Sequence, residues 1–419
     1  MTSFRFLHCA DLHLDSPLRG LEADSEAPVE KIRGATREAF RKLVDHALEQ
    51  NLDFVVAAGD LYDGDWQDWR TGHFLMGQIA RLTRENIWFI AIRGNHDAES
   101  VITRRLDFSD DKAHLFSARR PETFRLSTLP VSIHGQSFAS RAVTENLARA
   151  YPAPDPDRFN IGLLHSAIDG REGHDTYAPC SIDQLRDHGY DYWALGHVHA
   201  REVLSRDPWI VFPGNLQGRN INETGSKGAT VVTVVDGKVI DASSVAFDTV
   251  RWARVPVELT AETDEEAALA QVRAALNVEL GLAEGRLLAV RIVLSGACVA
   301  HDMFSRDLGA VRERIRAEVL SAADAAMIWT ETIEIATRPL NGMTGQTDAI
   351  GQLLRTLESV GGDELLEGVR AYAAAMLDRA PFLRQIPGGQ HAAAAVVNGG
   401  IPDDLIQRAR DLLLGSLNE

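Results

Sequence analysis

Phe4-Arg5-Phe6-Leu7-His8-Cys9-Ala10-Asp11-Leu12-His13 is the stretch on which the fold turns. Phe4–Cys9 is short, apolar and aromatic, which predicts a buried β-strand. The polar pair Asp11 and His13 follows at its carboxyl end. In extended backbone residues i and i+2 face one side, so this carboxylate and imidazole are expected to point together. The carboxyl ends of strands are where α/β sheets place their sites.

The same arrangement recurs along the chain. Phe54–Ala58 is followed by Gly59-Asp60, and Trp88–Ile92 by Gly94-Asn95-His96-Asp97. Ile161–Leu164 is followed by His165, and Tyr192–Leu195 by Gly196-His197-Val198-His199. Each piece alone is ambiguous: a Gly-Asp is commonly a turn, and a histidine beyond a strand is commonly structural. Together, five apolar strands each deliver hard-to-intermediate nitrogen and oxygen donors in one order. That pattern points to a metal-assisted site.

Around these strands lie amphipathic helical patterns. Val29–Gln50 carries Ile32, Ala35, Phe40, Leu43, Val44 and Ala47 on one face, and Trp66–Leu82 is also helical. Strand Val131–His134 completes an alternating set that reads as an α/β layered fold. After residue 200 the pattern turns strand-rich, with Trp209–Phe212, Ala229–Val235 and Val239–Ala246, the last two joined at Asp236-Gly237. A new α+β unit begins near Arg251: strand Ala253–Leu259, helix Asp264–Glu279, strand Leu287–Ser295, helix Leu308–Ala322 and strand Met327–Ile335. Beyond Pro339 the sequence predicts helices over Asp363–Arg379 and after Pro402, with a Gly/Ala-rich loop at Pro387–Gly400 between them. The expected domains are therefore 1–250, 251–340 and 341–419.

Composition narrows the function class. The 419 residues carry no apolar run of the roughly 18–20 residues that a membrane span needs. The N-terminus reads straight into a strand, without a cationic or long apolar leader segment. Three scattered cysteines, Cys9, Cys180 and Cys298, suit a reducing compartment, and a cytoplasmic protein is expected. The net charge is −17, and residues 251–419 hold 16 Lys/Arg against 24 Asp/Glu, so neither part is a basic arm. A polyanionic substrate would have to be met by a local patch, by metal ions or by a partner.

The motif series resembles the calcineurin-like metallophosphoesterase superfamily over residues 4–200. Residues Phe6 to Asp15, Ala58 to Gly64 and Tyr190 to His199 are similar to its bacterial SbcD/YhaO branch of DNA repair exonucleases. Ile133 to Phe138 and Glu172-Gly173-His174 are closest to the YhaO type. The resemblance implies a β-sandwich flanked by helices, then a small α+β cap and C-terminal helices. It implies one metal held by Asp11, His13, Asp60 and His199, and a second held by Asp60, Asn95, His165 and His197, with Asp60 shared. Two divalent ions about 3.5–4 Å apart lower the pKa of a bridging water, so that the resulting hydroxide attacks the phosphodiester, and they clamp both oxygens of an in-line displacement. Mixed imidazole and carboxylate donors suit Mn, Fe or Zn, and manganese is the resemblance's expectation.

His96 is read differently from its neighbours. With Asn95 turned to the metals, His96 is expected to face the leaving oxygen and to stabilise or protonate it. Asp63, three residues past Asp60, is placed to orient that imidazole and raise its pKa. His174 and Arg219 are the candidate substrate contacts. Gly225-Ser226-Lys227-Gly228 lacks the spacing of a phosphate-binding GxxxxGK[ST] loop, so any ATPase would act in trans.

The family branch works with an SMC-like ATPase of the SbcC/YhaN type, and the stripes Leu366–Met376 and Leu405–Leu413 could dock on its coiled coil. The helix over Trp66–Leu82 could form a homodimer interface. The resulting expectation is a two-metal DNA exonuclease and endonuclease of DNA repair. The alternatives are a phosphatase or phosphodiesterase with a small substrate, or a mainly structural subunit of an ATPase complex.

Overall fold

The structure, a computed structural model, describes residues 3–16, 28–63, 69–99, 108, 111–168, 178–322 and 327–340. The helices expected over Asp363–Arg379 and after Pro402, the Pro387–Gly400 loop and His174 lie outside these residues.

The chain divides into two compact units. Among the described residues, the first holds 3–254, 279–291 and 327–331, and the second holds 255–278, 292–322 and 332–340. In chain order the strands of the first two sheets are β1 (Ser3–Cys9), β2 (Phe54–Ala58), β3 (Trp88–Ile92), β4 (Ala113–Leu115), β5 (Glu122–Arg125), β6 (Val131–Gly135), β7 (Phe159–His165), β8 (Tyr192–Gly196), β9 (Glu202–Arg206), β10 (Trp209–Phe212), β11 (Gly228–Val235) and β12 (Lys238–Ala246). One six-stranded sheet runs β12-β11-β1-β2-β3-β4 and the other β5-β6-β7-β8-β10-β9. In the first, β1 to β4 are parallel and the β11–β12 hairpin adds on antiparallel. In the second, β6, β7, β8 and β10 are parallel, flanked by antiparallel β5 and β9.

The two sheets face each other across one core. Phe6, Phe54, Val56, Ile90 and Ile92 from the first meet Ile133, Ile161, Leu163, Tyr192 and Val211 from the second, all buried. Phe6 stacks on Phe54 at 4.8 Å and meets Tyr192 edge-on at 5.3 Å. The outer face of the first sheet packs Leu7, Val55, Ala57 and Phe89 under helices α1 (Val29–Glu49) and α2 (Trp69–Arg84), through Phe40, Leu43, Val44, Leu75 and Ile79. The outer face of the second sheet is covered by Leu185 of α4 (Ile182–Asp187), with Tyr190 and Trp193. Because both faces of each sheet are buried, the central strands read as continuous apolar runs rather than alternating ones. The result is a β-sandwich with helices outside, the fold class expected.

The short helix α3 (Asn95–Glu99) follows β3 directly. The third sheet orders β13 (Val250–Glu258), β14 (Leu287–Ala297) and β15 (Ile328–Arg338). Helices α5 (Glu265–Ala283), α6 (His301–Arg306) and α7 (Leu308–Ser321) connect them in sequence.

Candidate metal site

The ligand-bearing loops gather at the carboxyl ends of β1, β2, β3, β7 and β8. Asp11 and His13 do not stand on extended backbone, as the i, i+2 spacing had suggested. Both have left the strand and adopt positive φ, 51° and 41°, as do Asp60 at 52° and His197 at 101°. Such conformations cost of order 1–3 kcal/mol each and persist where the surroundings over-determine them. Here the surroundings are backbone hydrogen bonds between the first two loops: Asp11 N–H to Gly59 O at 3.0 Å, His13 N–H to Asp60 O at 3.0 Å and Leu14 N–H to Leu61 O at 3.1 Å. Gly196 is required by close approach, since a Cβ there would sit 1.9 Å from Ala58 O.

Asp11, His13, Asp60, Asn95 and His165 are all buried. One potential donor atom each from Asp11, His13 and His199 lie within 4.8 Å of one another, and the same holds for His13, Asp60 and His96, and for Asp11, Asp60 and His165. Asn95 Oδ1 is 2.9 Å from His165 Nε2. His197 donates its backbone N–H to Asp11 Oδ2 at 3.0 Å, and its ring stands 5.3 Å from that of His165. The seven ligands expected from the sequence are thus brought to one place.

The donor chemistry tests whether cations fit. His165 Nδ1 meets Ala58 O at 2.9 Å, and a carbonyl only accepts, so Nδ1 carries the proton. Burial lowers the pKa of this ring to about 3, so it is neutral and Nε2 is a bare lone pair. That lone pair faces the oxygen of Asn95, another acceptor. His13 Nε2 likewise faces His199 Nε2 at 3.3 Å. Burial, followed by the charge of Asp60, holds the Asp11 carboxyl well above its usual range, and burial raises Asp60 as well. Imidazole nitrogens and buried carboxylates converging within reach of one another form a donor set that divalent cations fit.

Beside the ligands lies a second group of side chains. His96 Nδ1 is 2.7 Å from Asp63 Oδ1. Burial works to lower the His96 pKa, but the Asp63 hydrogen bond and the charges of Asp60 and Asp63 outweigh it and raise the pKa. Burial alone would raise Asp63, yet the His13 ring 3.7 Å away and hydrogen bonds from His96 and Ser16 hold it far below its usual range. Arg219 is only 15% exposed and is committed to Glu223 at 3.0 Å and Asp63 at 3.4 Å. It supplies the counter-charge to both carboxylates beside the site. His174 lies outside the described residues.

Three further residues escaped the sequence reading. Ser16 donates to Asp63 Oδ2. Asp97 accepts from the backbone N–H groups of Leu61, Tyr62 and Gly94 at 2.9–3.0 Å and so binds two ligand loops together. Glu223 Oε1 lies 2.7 Å from His199 Nδ1. Asp97 was in plain view within Gly94-Asn95-His96-Asp97; Ser16 and Glu223 carried no local signal.

The calcineurin-like phosphoesterase family profile matches residues 4–201, and the profile of the metallophosphoesterase YhaO middle domain matches 252–338. The "Uncharacterized metallophosphoesterase YhaO" of Bacillus subtilis (strain 168) is 33% identical over 377 residues, 89% of this chain and 91% of that protein. The "DNA double-strand break repair protein Mre11" of Methanopyrus kandleri is 27% identical over 300 residues, 64% of this chain and 62% of that protein. Among solved structures, a dimetal phosphatase from Danio rerio aligns with TM-score 0.33 and 13% identity, over 56% of this chain and 93% of that one. The chain belongs to the calcineurin-like metallophosphoesterases of the SbcD/YhaO type.

Proposed function

We propose that this metal-dependent phosphoesterase is a two-metal DNA exonuclease and endonuclease acting in DNA repair. The observation that carries the chemistry is the convergence of donor atoms from Asp11, His13, Asp60, His165 and His199 on one buried spot, with Asn95 beside His165. DNA as the substrate is supported by the likeness to proteins named for DNA double-strand break repair.

In this reading Asp11, His13, Asp60 and His199 hold one ion, and Asp60, Asn95, His165 and His197 the other. When bound, the ions, manganese in our reading, supply Lewis acidity and an activated water for in-line displacement. The chain's own residues do the rest. Asp63 accepts the Nδ1 proton of His96 and keeps the ring protonated at Nε2. That proton is given to the leaving oxygen as the phosphorus–oxygen bond breaks, a role typically worth 10²–10⁴-fold. Ser16 and Arg219 hold Asp63 from its far side.

The same proposal assigns residues 1–250 to nuclease chemistry, 251–340 to capping and 341–419 to docking on an SMC-like ATPase, with a homodimer formed through the helix at Trp66–Leu82 and a cytoplasmic location. The test is cleavage of end-labelled single- and double-stranded DNA with Mn²⁺, with and without the ATPase, beside bis-p-nitrophenyl phosphate. DNA cleavage lost in His96→Ala is the expected result. Hydrolysis of the small ester with DNA untouched under every condition would replace the nuclease by a small-substrate phosphatase, the reading that the net charge of −17 favours.

A further inference from the structure

We infer that Glu223 is a positioning residue that sets the tautomer of His199, so that its Nε2 lone pair is available to a cation. The inference rests on the metal-site reading above and goes beyond its seven ligands.

The geometry is specific. Glu223 Oε1 is 2.7 Å from His199 Nδ1, and Glu223 is 9% exposed. A carboxylate only accepts, so in the neutral ring Nδ1 carries the proton and the Nε2 lone pair faces His13 and Asp11, at 3.3 and 3.8 Å. Arg219 Nη2 also approaches Nδ1, at 3.4 Å, but it bonds Glu223 Oε1 at the better distance of 3.0 Å. The second oxygen, Oε2, accepts Asn215 Nδ2 at 2.9 Å and the backbone N–H of Arg219 at 2.7 Å. Both carboxylate oxygens therefore face donors only.

The loop that carries Glu223 is anchored at both ends. Asn215 donates its backbone N–H to His199 O at 3.3 Å, and Lys227 Nζ donates to the same carbonyl at 2.9 Å. Gln217 Oε1 accepts from Thr249 N–H at 2.7 Å, Trp252 Nε1 donates to Gly218 O at 2.9 Å, and Gly225 N–H donates to Trp252 O at 3.0 Å. Glu223 is thus held by a rigid frame, and His199 is held at its ring and at its carbonyl by one loop. A carboxylate that orients a metal-binding imidazole is commonly worth 10–100-fold in metal affinity.

Glu223→Gln is the discriminating variant because an amide has one NH₂ to place. Turned toward Oε2, it meets the backbone N–H of Arg219, which cannot become an acceptor. Turned toward Oε1, it meets His199 Nδ1, which can, by moving its proton to Nε2, and Arg219 Nη2, a side-chain donor that can turn away where a backbone N–H cannot. The amide therefore drives the ring to the tautomer that blocks the cation.

The experiment measures two quantities on the full chain. Nitrogen-15 NMR of the metal-free protein reads the His199 tautomer, and calorimetry reads Mn²⁺ affinity. The expected results are Nδ1–H in the wild type, Nε2–H in Glu223→Gln, and a loss of affinity of about 10–100-fold in the variant. Nε2–H in the wild-type protein would overturn the inference without any variant. A variant with unchanged tautomer and unchanged Mn²⁺ affinity would overturn it too, and would reduce Glu223 to a loop anchor. A wild-type chain that binds no Mn²⁺ would overturn the metal reading and this inference with it.

Discussion

Asp63 accepts the Nδ1 proton of His96 across 2.7 Å, while Ser16 and Arg219 hold the other carboxylate oxygen. The aspartate is thereby tied at both oxygens and cannot turn away from the imidazole. His96→Ala removes the proton donor and leaves the seven ligands. Its cleavage of DNA, whose alkoxide leaving group needs the proton, should fall about 10²–10⁴-fold, with Mn²⁺ affinity by calorimetry close to wild type. Asp63→Asn should lose part of the same factor. Wild-type turnover in His96→Ala would remove this residue from the chemistry.

Stripping divalent ions should destabilise the first unit. Asp11 and Asp60 are buried together and both carboxyl groups are pushed up by burial, a penalty that a cation relieves. Free Mn²⁺ at a hundred times its Kd should add about 2.7 kcal/mol. Differential scanning fluorimetry of chelator-treated protein, titrated with Mn²⁺, reads this as a rise in Tm. A flat titration would argue against a bound ion.

Asp97→Asn should loosen the site from behind. The carboxylate accepts three backbone N–H groups, and burial followed by the charge of Asp60 raises its pKa to about 7 even so. An amide in its place turns an NH₂ toward at least one of those donors. A loss of about 2–3 kcal/mol is expected by urea denaturation, together with weaker Mn²⁺ binding. Asp97→Ala should cost no less.

His8, which is not among the candidate ligands, makes stability depend on pH. Its Nε2 meets Leu195 O at 3.0 Å, so that nitrogen donates, and Nδ1 accepts from Tyr192 Oη at 3.0 Å. Burial lowers its pKa from 6.5 to about 3. Between those values the unfolded chain binds a proton that the folded one refuses, so stability falls as pH drops below 6.5 and the loss is complete near pH 3. The single group should cost about 1.4 kcal/mol per pH unit, or about 2 kcal/mol by pH 5. His8→Gln should flatten the urea midpoint between pH 7 and pH 5 by that amount. An unchanged slope would assign the acid sensitivity to other groups.

Much of this was legible in the chain. The central strands announce themselves because both faces of each sheet are covered, which makes Phe54–Ala58, Trp88–Ile92 and Tyr192–Gly196 unbroken apolar runs. The strands β4, β5 and β9 did not, because they are short and partly exposed, and their polar sequences carry little periodicity. The candidate ligands could be picked out by order and spacing, but the backbone that brings them together could not. Asp11 and His13 converge by left-handed turns braced against the Gly59–Leu61 segment, not by strand alternation. Ser16 acts on Asp63, Asp97 on Leu61 and Tyr62, and Glu223 on His199, partners 24–47 residues away, and no local window contains both members of such a pair.

The division of the ligands between two sheets has a practical consequence. Asp11, His13, Asp60 and Asn95 follow strands of the first sheet, while His165 ends a strand of the second and His197 and His199 follow another. A polypeptide cut between β4 and β5 would leave each fragment with an incomplete coordination sphere. High-affinity Mn²⁺ uptake should then appear only when complementary fragments reassociate, so that the ion becomes a reporter of the sandwich having closed.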